Sequence, residues 1–202
     1  MPLIASRAGG SVSGFGGLRS FAPAVAPDTG AMFPIAMANV GSAGASTITF
    51  SSIPDTYKHL QIRWIAKSDR TETDDVVKIT FNSDATANYS WHWLRGNGAT
   101  TAAGASASDS SIEINYGATG NSNATNIFAG SVVDILDYTS INKYKTIRSL
   151  NGFDLNTVNV NIIYLHSGNW RSFSPITSIT LDQRYGSNFL QYSQFALYGI
   201  KG

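Results

Sequence analysis

From residue 46 onward the chain alternates apolar and polar residues in short runs divided by turn formers. In 59–67, HLQIRWIAK, Leu60, Ile62 and Trp64 fall on one face, and Gln61 and Arg63 on the other. In 76–83 Val77, Ile79 and Phe81 share a face. In 89–95 Tyr89, Trp91 and Trp93 do so, with Ser90 and His92 opposite. Ile112 and Ile114 repeat the spacing, and the runs 46–50, 143–153, 158–166, 176–182 and 194–200 carry it through the rest of the chain. A period of two sends alternate side chains to opposite faces of an extended chain, which marks half-buried strands. The run 126–138, NIFAGSVVDILDY, is longer and more apolar, and predicts a central strand buried on both faces for part of its length.

No segment repeats apolar residues at helical spacing over three turns; SSIPDTYKHL at 51–60 allows a single helical turn at most. Gly, Asn, Asp, Ser and Pro punctuate the runs, as turns require. Two Ala/Ser/Gly-rich segments, 96–111 and 116–126, read as long loops, either flanking a binding surface or simply tolerated. Nine or ten evenly spaced strands without internal repeats predict an all-β fold, a two-sheet β-sandwich of the jelly-roll type.

Residues 1–36 follow another grammar and predict an extended arm ahead of a sandwich domain at 37–202. Six glycines (Gly9, Gly10, Gly14, Gly16, Gly17, Gly30) and four prolines (Pro2, Pro23, Pro27, Pro34) oppose regular structure there. A plain linker has no use for apolar side chains, yet the arm carries Val12, Phe15, Leu18, Phe21 and Val25. This pattern predicts a segment that orders on a partner, with Phe15, Leu18 and Phe21, and Arg19 among them, as anchors.

Charged residues make up 13% of the chain, about half the usual share, so Ser, Thr, Asn and Gly must solubilise the surface. The net charge of +1 gives no basic excess for a phosphate backbone, which disfavours nucleic acid as a partner. The absence of cysteine excludes disulfides and thiolate metal sites. The opening MPLIASRAGG lacks a basic segment followed by a long apolar one, so synthesis and assembly in a cytoplasm are expected. No run approaches the ~18 apolar residues of a membrane span, and no membrane insertion is expected.

Candidate chemistry is sparse. The acidic group Asp69, Glu72, Asp74 and Asp75 does not match the EF-hand spacing and encloses Arg70, so a solvated hairpin tip is expected rather than a calcium loop. His59, His92 and His166 stand on separate strands without zinc spacing. Asp134 and Asp137, three apart, point to opposite faces and form no acid–base pair within their strand. No GxSxG is present. The expectation is therefore no catalytic residue, no cofactor and no metal. Aromatics are more suggestive: Trp91 and Trp93 read as core, whereas Trp170, in HSGNWRS, and Tyr185 are candidate glycan contacts, since flat rings beside amides hold sugars.

The stretches ITFSSIPDTYKHLQIRWIAKSDR (48–70), FNSDATANYSWHWLRGNG (81–98), DILDYTSINKYKTIRSLNGFD (134–154), SGNWRS (167–172), ITSITL (176–181) and QYSQFALYGIKG (191–202) resemble a group of virion structural and tail-fibre-like proteins of tailed bacteriophages, including those of cyanobacteria and marine bacteria. The Gly-rich start IASRAGGSVSGFGGLRS resembles the leader of the same group. The resemblance implies a virion setting, on the outside of a phage particle, with other virion proteins as partners. The leading expectation is a short homotrimeric tail-fibre or host-adhesion subunit, anchored by its arm and facing a host cell-surface glycan. A capsid decoration, or cement, protein is the alternative, and a carbohydrate-active enzyme a minor one.

Overall fold

The structure is a computed structural model and describes residues 31–156 and 161–202. Phe15, Leu18, Arg19 and Phe21 lie outside the described residues. Among the described residues there is no helix, and twelve strands form two antiparallel sheets. They are β1 (Met32–Asn39), β2 (Thr47–Phe50), β3 (His59–Ala66), β4 (Asp74–Phe81), β5 (Tyr89–Gly96) and β6 (Thr101–Asp109). The others are β7 (Ile112–Thr119), β8 (Ala129–Leu136), β9 (Lys145–Phe153), β10 (Ile162–Trp170), β11 (Ile179–Gln183) and β12 (Gln194–Ile200).

The large sheet has the order β1-β12-β3-β8-β9-β10-β5-β6, and the small one β2-β11-β4-β7. Eight of these strands make a jelly roll. The chain crosses between β1-β12-β3-β8 and β2-β11-β4-β7 at every step except β4 to β7. The hairpins β5-β6 and β9-β10 extend the large sheet past β8. The small sheet therefore covers one face of a sheet twice as wide.

The alternation read from sequence sets which side chains the sandwich encloses. Leu60, Ile62 and Trp64 of β3, Val77, Ile79 and Phe81 of β4, and Leu197 and Phe195 of β12 are buried between the sheets. A second cluster of Ala129, Phe153, Ile162 and Tyr164 lies further along the large sheet, with Trp93, Tyr116 and Leu155 against it.

Three strands depart from the sequence reading: β7 continues to Thr119, into the expected 116–126 loop, and β6 and β1 lie where no strand was expected. β6, inside the expected 96–111 loop, is TAAGASASD and has no β-branched or aromatic residue beyond Thr101 to announce it. Its small residues have a steric cause: a Cβ on Gly104 would stand 2.5 Å from the Trp93 ring. β1 begins at Met32, ahead of the expected boundary at residue 37, and its register slips between Pro34 and Ala36, where an edge strand accommodates a residue without an N–H. The expected two-sided burial of 126–138 is also corrected. β8 buries Ala129, Ser131, Val133 and Ile135, while Gly130 and Val132 are exposed, because among the described residues the second sheet packs on one face of the large sheet alone.

One irregularity joins the sheets. Tyr116, on β7, has a left-handed backbone (φ 57), and β7 slips register against β4 between Asp75 and Val77. The bulge removes backbone groups from the ladder, and side chains of the large sheet take them up. His166 Nε2 accepts the Asn115 N–H at 3.1 Å, Asn151 Nδ2 donates to the Asn115 and Tyr116 carbonyls, and Trp64 Nε1 donates to the Gly117 carbonyl at 2.7 Å. Buried polar residues are thus present because buried backbone groups need partners.

Candidate functional site

The polar residues singled out in the sequence turn out to hold loops. Asp75 is fully buried: its carboxylate accepts the N–H groups of Val76, Tyr185 and Gly186. Asp69 accepts those of Ser187 and Asn188. The expected solvated tip is corrected to a clamp on the segment that follows β11, because an anionic oxygen satisfies several loop amides at once. Among the described residues no three His, Asp or Glu side chains gather as metal ligands.

Trp170 is the last residue of β10 and 2% exposed, packed with Phe81 and Tyr89 at ring-centroid distances of 5.5 and 6.3 Å. Its Nε1 donates to Asp84 at 2.8 Å. Against the desolvation that would raise it, hydrogen bonds from Thr86, Asn88 and Trp170 hold the Asp84 carboxyl below the usual range. A ring without an open face cannot stack on a sugar, so Trp170 is corrected from candidate contact to core. Tyr185 is exposed, with the Arg70 guanidinium 4.3 Å and that of Arg184 5.3 Å from its ring centroid.

The open aromatic pair of the loop ends is Tyr144 and Phe173, 46% and 55% exposed, with ring centroids 5.0 Å apart. Exposed Ile141 belongs to the same β8–β9 connection as Tyr144. The pair is positioned by Lys145. This side chain is fully buried, and its ammonium donates to the carbonyls of Ser140 (2.7 Å), Ser172 (3.1 Å) and Lys143 (3.2 Å). Desolvation pulls its pKa below the ordinary lysine value. One cation thereby ties the β8–β9 connection, which carries Tyr144, to the β10–β11 connection, which carries Phe173. Lys145→Met keeps the aliphatic stem and removes the donors. We expect a loss of about 2 kcal/mol in urea unfolding, from three part-buried carbonyls that lose their charged donor, and faster amide exchange at 140–144 and 171–174.

Among the described residues the second open surface is the face of the large sheet turned away from the small one. Register places Met37, Ala196, Arg63, Val132, Leu150, Leu165, Leu94 and Ala103 in one row across all eight strands. The neighbouring row runs through Ile65, Gly130, Gly152, Ile163 and Gly96. The three glycines leave a groove of about 880 Å³, walled by Val132, Leu150 and Ile163 and rimmed by Asn97 and Asp154. On the other side of the apolar row lies a polar one: Tyr198, Gln61, Asp134, Arg148, Ser167 and His92.

The sequence reading missed this face. Its signal was the pairing of apolar residues on both phases of β10, where Ile162 and Tyr164 point inward and Ile163 and Leu165 outward. No protein-family model matches the chain, and none of the curated proteins compared with it matches.

Proposed function

We propose that this chain is a non-enzymatic structural protein of a tailed-phage particle, a short tail-fibre or host-adhesion subunit whose jelly roll presents a glycan-contacting loop end. The observation that carries the reading is the Tyr144–Phe173 pair, held open at one end of the sandwich by a buried lysine. Open aromatic faces take sugar rings by CH–π contact, while neighbouring polar groups fix orientation. Lys143, ion-paired with Asp137, and Arg171, which donates to the Ala87 carbonyl, stand beside the pair in the chain, and their remaining N–H groups are donors for hydroxyls.

Two further features support it. The interior ionisable groups Lys67, Asp75, Lys145 and His166 are engaged by backbone groups, a structural use. The resemblance of 48–70, 81–98 and 191–202 to phage virion proteins supplies the setting.

The test is a bacterial-glycan array probed with the full chain and with the double variant Tyr144→Ala/Phe173→Ala. Loss of both rings removes the stacking surface, so the expected result is at least a tenfold drop in binding. Thermal unfolding should move little, because both residues are exposed. A full chain that binds no sugar, or a double variant that binds as well as the parent, overturns the adhesive reading.

A further inference from the structure

We propose that the face of the large sheet turned away from the small sheet is the contact surface for a second copy of this chain, paired across a two-fold axis that runs along the strands between β8 and β9. This goes beyond the glycan reading and does not depend on it, and it sets a two-fold pair against the homotrimer that the resemblance implies.

The face is too apolar to be left to water. Met37, Ile65, Leu94, Val132, Leu150, Ile163 and Leu165 are each between 36% and 69% exposed. Together they offer on the order of 600 Å² of apolar surface, the upper end of what a monomer leaves open. With the polar row beside them the area approaches the ~800 Å² per partner that a stable pair buries.

The occupant follows from the pattern, because the face is complementary to itself. The line between β8 and β9 is the middle of the sheet, with β1, β12, β3 and β8 on one side and β9, β10, β5 and β6 on the other. Rotation about that line exchanges the two halves of each row. In the apolar row it sets Val132 against the partner's Leu150. In the glycine row it sets Ile65 against the partner's Ile163, and Gly130 against the partner's Gly152, so the backbones approach where no side chain intervenes. In the polar row it sets Asp134 against the partner's Arg148, twice per pair. At the centre of the face apolar residues meet apolar ones and opposite charges meet, as an isologous contact demands, while Arg63 falls against the partner's Leu165.

Arg63 is the one charged member of the apolar row. Its Nε donates to Gln61 at 2.7 Å, and its guanidinium lies 5.8 Å from the Tyr198 ring centroid, so the charge is drawn toward the polar row. The geometry is that of two sheets stacked face to face with strands aligned, about 10 Å apart.

Sedimentation equilibrium of the full chain tests this, with Leu150→Arg and Ile163→Arg as separate variants. Both positions are more than half exposed, so the substitutions leave the fold intact, and circular dichroism and melting temperature verify it. The expected result is a dimer at micromolar concentration, with each arginine raising the dissociation constant at least 100-fold. The reciprocal pair Asp134→Arg/Arg148→Asp keeps the dimer, whereas Asp134→Arg alone weakens it. A monomeric parent, a trimer, or an assembly indifferent to Leu150→Arg and Ile163→Arg overturns the pairing. Because glycan binding is read separately on the array, failure of one proposal leaves the other standing.

Discussion

Trp170→Ala will cost about 3–5 kcal/mol of folding free energy, the usual range for deleting a buried tryptophan. In a domain of this size that lowers the melting temperature by on the order of 10 °C. Two losses combine. The ring fills space between Phe81 and Tyr89, with Lys145 Nζ 5.8 Å from its centroid, and a cavity there cannot collapse without moving two strands. The indole N–H also caps Asp84, whose carboxylate organises the β4–β5 turn by accepting from Thr86 and Asn88. Removing the donor leaves the carboxylate with one fewer partner and loosens the turn that places Tyr89. Scanning calorimetry of the variant measures the effect. A residue serving as a surface glycan contact would instead leave the melting temperature within about a degree of the parent and reduce sugar binding alone.

Trp170 also marks where the sequence stops being informative. Its strand was legible, but the run HSGNWRS mixes Gly, Asn and Ser with one tryptophan and reads as a turn. In the fold the same residues end β10, because Gly168 lies against Ile112 of the opposite sheet and leaves no room for a Cβ without displacement. Ten strands were visible because β-branched and aromatic residues recur in their sequences at a period of two. β6 was not, since its residues are small to fit beneath Trp93, and smallness looks like a loop. β1 was hidden by the Gly/Pro composition around it. The open face was obscured for a related reason: Val132 and Val133 are equally apolar, and only the sheet order decides that one faces the core and the other solvent. The Tyr144–Phe173 pair joins two connections 29 positions apart through a lysine whose hydrogen bonds go to carbonyls, and carbonyls leave no trace in a sequence. The bulge at Tyr116 is equally silent, yet it explains why His166, Asn151 and Trp64 carry polar atoms inside the sandwich.

That bulge predicts a pH dependence. His166 is 2% exposed, and burial pushes its pKa down from 6.5 to about 3. Nε2 accepts the Asn115 N–H, so the neutral ring carries its proton on Nδ1 and donates to Ser149 Oγ at 3.1 Å. A second proton on Nε2 would turn the acceptor into a donor facing another donor. In the unfolded chain the imidazole takes its proton near pH 6.5. Between that value and about 3 the unfolded state therefore binds more protons than the folded one, and stability falls as pH falls. Above pH 6.5 the group makes no pH-dependent contribution. The slope is at most ~1.4 kcal/mol per pH unit, so at pH 4 about 3 kcal/mol is lost from this residue alone. His166→Gln offers an amide oxygen to the Asn115 N–H without a titrating group. It should cost about 1–2 kcal/mol at pH 7 through imperfect geometry, and should flatten the decline between pH 6.5 and 4. Urea midpoints at pH 7, 5.5 and 4 for both proteins make the comparison. The contributions of Asp69, Asp84 and Asp137, whose carboxyls are held below the ordinary value, are lost mainly below this window. Parallel pH curves for parent and variant would mean that the Asn115 N–H finds another acceptor, and that the bulge does not depend on a neutral imidazole.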